Sequence, residues 1–128
     1  MRIEELVLTV EQMQHLKELG LEVKDTAMAW VNAIVGHNFV APISLIFHDD
    51  YTPTLTLQEI LELLPESIGK CTLYTAFHHN DHCPSMMWYA QDYFMNNGET
   101  LHYLELGSPL QTAYHMLCWV IENGYLKR

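Results

Sequence analysis

The chain has 128 residues, 49% of them hydrophobic and 11% aromatic, and its 16 Asp and Glu against six Lys and Arg give a formal charge of −10. One domain is the expectation at that length, with a core that needs no staples. The composition argues against disorder, and the charge argues against nucleic acid or an anionic membrane as partner.

The chain starts Met1-Arg2-Ile3-Glu4-Glu5-Leu6, with no basic stretch leading into an apolar one, so no secretory signal is expected. No apolar run approaches the about eighteen residues of a membrane span. Cys71, Cys83 and Cys118 are odd in number and lack paired spacing. They read as reduced thiols of a cytoplasmic protein, not a disulfide frame. The acidic residues read as solvated helix faces and loops. Asp49-Asp50 and Glu59-x-x-Glu62 are too short to imitate a nucleic-acid backbone.

Residues 1–8 fit either a short strand or a lead-in to the first helix. That helix is expected from Val10 to Leu19, with Thr9 and Gln12 as capping box, Leu8 and Met13 as hydrophobic staple and Gly20 as stop. Thr26 to Val35 reads as a strand, Gly36-His37-Asn38 as a turn, and Phe39 to His48 as a returning strand in which Pro42 marks an edge. Asp49 to Thr54 reads as a loop. Thr56 with Glu59 then opens a short helix that Pro65 stops. Three strands follow, over Lys70–Phe77, Ser85–Phe94 and Thr100–Leu106, the last two joined at the turn Asn96-Asn97-Gly98. The final helix is the strongest element. Ser108 caps it, Pro109 suits its first position, Gln111 completes a capping box, and Gly124 ends it. Leu110, Ala113, Tyr114, Leu117, Val120 and Ile121 share one face, whereas Trp119 falls among Gln111, Thr112, His115 and Glu122.

The fold class is therefore α+β in a single domain spanning residues 1–128. An antiparallel sheet of about five strands carries three helices mainly on one face, in the order α-ββ-α-βββ-α. The stretches from Leu55 to Pro65 and from Ala113 to Leu126, with Gln12 to Gly20 near the start, resemble a family of small uncharacterised proteins from phages and mobile elements of gut bacteria. The resemblance covers the helices, about a third of the chain. It implies architecture and setting, not an activity.

The segment with the densest set of metal-ligand side chains is His78-His79-Asn80-Asp81-His82-Cys83. His78, His79, His82 and Cys83 could hold zinc or another transition metal. Their spacing matches no zinc template, and the alternative is a solvated hairpin loop. His48-Asp49-Asp50 could support acid–base chemistry, and His115 with Cys118, three residues apart on one helix, could form a thiol–imidazole pair. No orienting or oxyanion motif accompanies either group, and Cys118 suits a small core position. There is no phosphate loop or nucleophile elbow. Trp30, Trp88, Tyr89, Tyr93 and Tyr103 lie at strand spacing and read as core or sheet surface, with a ligand box as the alternative.

The leading reading is a non-catalytic protein that binds another molecule, in the first place a protein or a second copy of itself as a homodimer. No catalytic residue is assigned and no cofactor is expected. Trp119 and His115 are the candidate binding residues, because an aromatic on a polar helix face suits an interface. Metal binding or metal-dependent catalysis at residues 78–83 is one alternative, and small-ligand binding by the sheet aromatics is the other.

Overall fold

The structure, a computed structural model, describes residues 3–23, 25–32, 37–46, 50–78, 83–93 and 98–126. A 3₁₀ turn (Ile3–Leu6) leads to α1 (Val10–Glu18), β1 (Met28–Val31), β2 (Phe39–Pro42) and a second 3₁₀ turn (Ile43–Leu45). β3 (Tyr51–Thr54), α2 (Leu57–Leu63), β4 (Ser67–Ile68), β5 (Cys71–Ala76), β6 (Ser85–Ala90), β7 (Thr100–Leu106) and α3 (Pro109–Glu122) follow. The fold is α+β with antiparallel pairing throughout, and its strands form two sheets, ordered β2-β1-β3 and β4-β5-β6-β7. The chain divides into two compact units, Met1–Ile60 and Leu61–Arg128, with the boundary inside α2. Among the described residues no helix is long and apolar enough to cross a membrane.

In the first unit the Thr9 hydroxyl accepts from Gln12 N at 3.1 Å and Thr9 N donates to Gln12 Oε1 at 3.0 Å, the reciprocal capping box expected for α1. The helix ends in a Schellman turn: Gly20 takes φ +101°, Gly20 N donates to Lys17 O, and Leu21 N donates to Leu16 O. That turn folds Leu21 back beneath the helix, where it is buried with Leu8, Met13 and Leu16.

Residues 51–54, expected as a loop, form β3 and pair with β1 in the register Ala29↔Pro53. Alternation hid this strand, because Tyr-Thr-Pro-Thr shows no apolar face. Proline is tolerated because β3 is an edge strand and Pro53 occupies a position whose missing N–H points away from β1. β2 stops at Pro42, short of the expected run, and the chain turns into the 3₁₀ segment, with Ile43 N donating to Ala27 O. Residues 33–36 and 47–49, the ends of the expected first two strands, lie outside the described residues. The buried carbonyl of Leu8 ties the unit together. It accepts from Thr54 Oγ1 at 2.7 Å and from the Trp30 indole at 2.9 Å, while Leu8 N donates to Leu55 O.

In the second unit β6 is central and α3 packs on β6 and β7. Met116, Leu117 and Val120 of α3 and Met87 and Tyr89 of β6 are fully buried. Each such large apolar side chain contributes about 1.5–3 kcal/mol. Ser108 caps α3 by accepting from Gln111 N at 3.2 Å. The buried arc of α3 is wider than the expected face. Thr112, expected on the polar side, is fully buried because its hydroxyl donates to Ser108 O at 2.7 Å, one turn back, and so needs no water. β4, a two-residue strand, was too short to leave a periodic signal. A β-bulge lies between the pairs Tyr89↔His102 and Ala90↔Thr100, so Leu101 is the extra residue of β7.

Candidate functional site

The two faces of the four-stranded sheet carry different aromatic groups. Leu73, Tyr89 and His102 are register partners on the face that α3 covers. Tyr74, Trp88 and Tyr103 are partners on the other face.

On the helix side, Trp119 is half-buried. His102 lies stacked on it at 4.3 Å between centroids, Tyr89 is 6.1 Å away, and Tyr125 is 5.4 Å away. The placement of Tyr125 follows from the end of α3. Gly124 takes φ +75°, Gly124 N donates to Ile121 O and Tyr125 N to Val120 O, a second Schellman turn that brings the ring back along the helix. Burial holds the His102 imidazole below its ordinary pKa, so the neutral ring is favoured in the stack. Burial also pushes the Tyr89 hydroxyl up, and that hydroxyl donates to Pro65 O at 2.7 Å. Trp119 is thus integrated into its own unit on several sides. Its sequence partner His115 is exposed and meets the edge of Tyr114 at 5.1 Å.

The possible thiol chemistry on α3 finds no support in the geometry. Cys118 is buried, and burial raises its pKa and keeps the thiol protonated, the reverse of an activated nucleophile. Tyr114 shares a hydrogen bond with that thiol and is itself shifted upward, by burial first. Asp50 accepts from Asn32 Nδ2 at 2.6 Å; its neighbours His48 and Asp49 lie outside the described residues.

Of the possible metal ligands, His78 is half-buried and its backbone is held by Ser85: His78 N donates to Ser85 Oγ at 3.2 Å, and the Ser85 hydroxyl lies 3.3 Å from His78 O. Cys83 is exposed. His79 and His82 lie outside the described residues, and among the described residues no three His, Cys, Asp or Glu side chains converge as a metal site.

The open side of the sheet gathers a group that only part of the sequence pattern indicated. Trp88 lies within 5.8 Å of Tyr74, 5.3 Å of Tyr93 and 6.2 Å of Tyr103, and Tyr74 meets Tyr93 edge-on at 5.3 Å. Trp88 is only 4% exposed, whereas Tyr93 and Tyr103 are 44% and 38% exposed. The indole N–H of Trp88 is buried with no hydrogen-bond acceptor among the described residues. Tyr103 donates to Glu105 Oε1 at 3.2 Å, which places a carboxylate beside the rings. Tyr74 was absent from the sequence-based set; the signal that would have found it is the register Tyr74↔Trp88, which the hydropathy pattern does not contain.

Comparison of the chain with protein-family models, with curated proteins and with solved structures finds no match.

Proposed function

We propose that the protein acts without catalysis by binding another protein, and that the Tyr74–Trp88–Tyr93–Tyr103 face of the second sheet is its docking surface. The observation that carries the reading is the packing of Tyr93 and Tyr103, both exposed, on a buried Trp88 whose indole N–H has no acceptor among the described residues. Tyrosine and tryptophan are the side chains on which binding energy concentrates. Glu105 at the rim and the charge of −10 favour a basic segment as the occupant and oppose a second copy of this acidic chain. The resemblance to phage and mobile-element proteins suggests an accessory role in that setting.

The test has two parts. Capture from host lysate is compared between wild type and Tyr93→Ala/Tyr103→Ala, and the captured partner is then titrated into labelled protein. The proposal expects loss of capture in the variant and a shift of the Trp88 indole N–H resonance in the wild type. Equal capture by both proteins, or a shift confined to the Trp119 indole, overturns it. Sedimentation of the free protein tests self-association separately.

A further inference from the structure

We propose that the first unit carries a separate small-ligand site, a cleft between α1 and the edge of β3 that takes a ligand with an apolar body and a single carboxylate. The cleft has a volume of about 430 Å³. That falls within the about 300–1,000 Å³ typical of small-molecule sites.

Its origin is legible in the local structure. The antiparallel bridge Val7↔Thr56 and the Leu8 N to Leu55 O bond tie the start of α1 to the end of β3. The cleft lies between Val10, Met13, Gln14 and Lys17 of α1 and Thr52 and Pro53 of β3, and Pro53 has no outward N–H with which a further strand could pair there. The Schellman turn at Gly20 then returns Leu21 to form the floor.

The lining sorts by chemistry. Met13 and Leu21 are buried and make an apolar floor, and Val10 and Pro53 are half-buried walls. Lys17 is exposed and is the one cation among the described lining residues. Gln14 lies three residues before it on α1, a spacing that puts both residues on one helix face along the cleft, and an ammonium with an amide is a donor pair that a carboxylate can use. Glu22 is the acidic residue among the described lining residues. The four-carbon stem of Lys17 can lie along apolar surface while its ammonium stays in solvent, which suits a ligand with an apolar body and a charged end. The chain's charge of −10 disfavours anions overall, so binding of a carboxylate in this cleft would have to depend on Lys17.

The probe is decanoate, held below its micellar concentration and titrated calorimetrically, with methyl resonances of Met13 and Val10 followed in parallel. Decanol and decylamine serve as neutral and cationic controls. The expected result is one-site binding of decanoate with shifts at both methyl groups, weakened at least tenfold in Lys17→Gln and by a similar factor for decanol. Lys17 is exposed, so the variant is expected to melt like the wild type. Val10→Trp, which fills the cleft, is expected to abolish binding. Decanoate affinity unchanged by Lys17→Gln, tighter binding of decylamine, or absence of the methyl shifts overturns the assignment.

Discussion

The imidazole of His102 lies flat on the indole of Trp119, with centroids 4.3 Å apart and planes 2° from parallel. Because burial lowers the pKa of His102, the unfolded chain takes up this proton first as pH falls. Stability contributed by the neutral ring is therefore complete above the unfolded value of about 6.5 and is lost progressively below it. His102→Phe keeps a flat ring in the stack but does not titrate. Wild type is expected to lose more melting temperature than His102→Phe between pH 7.5 and 5.5. The opposite order would mean that attraction of the imidazolium for the indole outweighs its desolvation.

Trp119 is expected to matter for stability in the isolated chain. A fully buried tryptophan costs about 3–5 kcal/mol on truncation, and partial exposure of this one brings the expectation for Trp119→Ala to about 2–3 kcal/mol. Urea denaturation measures it. A variant within about 0.5 kcal/mol of wild type, the level of an ordinary surface change, would show that the surrounding rings do not hold the helix to the sheet.

The end of α3 offers a cleaner backbone test. A Cβ at Gly124 would meet nothing within 4 Å, so Gly124→Ala reports the cost of φ +75° alone. About 1–2 kcal/mol is expected. At the other end, Ser108→Ala removes the cap and is expected to cost about 0.5–2 kcal/mol. Leu117→Ala, at a fully buried position, is expected to cost about 2–5 kcal/mol. If Leu117→Ala melts like the parent, α3 is not the centre of its unit.

The Leu8 carbonyl provides a test of cooperativity. Two side chains, Thr54 and Trp30, donate to it. Thr54→Val leaves one donor and is expected to cost about 0.5–1.5 kcal/mol. With Trp30→Phe added, the buried oxygen loses both, and the double variant should exceed the sum of the singles. Additive costs in a double-mutant cycle would mean that water replaces the missing donors.

Elements that close their own hydrogen bonds were the ones readable in advance. Thr9 with Gln12, Thr56 with Glu59, Gly20 and Gly124 act within one turn of chain, and each performs in the structure the capping or stopping role its residue type suggests. Thr100–Leu106 was legible because it lies between the Asn-Asn-Gly turn signal, part of which falls outside the described residues, and the α3 cap at Ser108. The edge strand at residues 51–54 was not, because its reason to be extended is the unpaired side of β1, some twenty residues earlier in the sequence. The same holds for the aromatic face. Trp88 and Tyr103 are conspicuous alone, but that they share a face with Tyr74 and not with Tyr89 is a matter of register.

The bulge at Leu101 decides where β7 can change length. Deleting Leu101 would leave a regular ladder, with His102 still beneath α3 and Tyr103 still beside Trp88. Deleting Leu104 instead would pull the preceding residues forward by one, turning His102 onto the open face and Tyr103 under the helix. A lineage of such proteins could therefore gain or lose a residue at the start of this strand without disturbing either aromatic group, while any length change two or three positions later would exchange the two sides of the sheet in a single step.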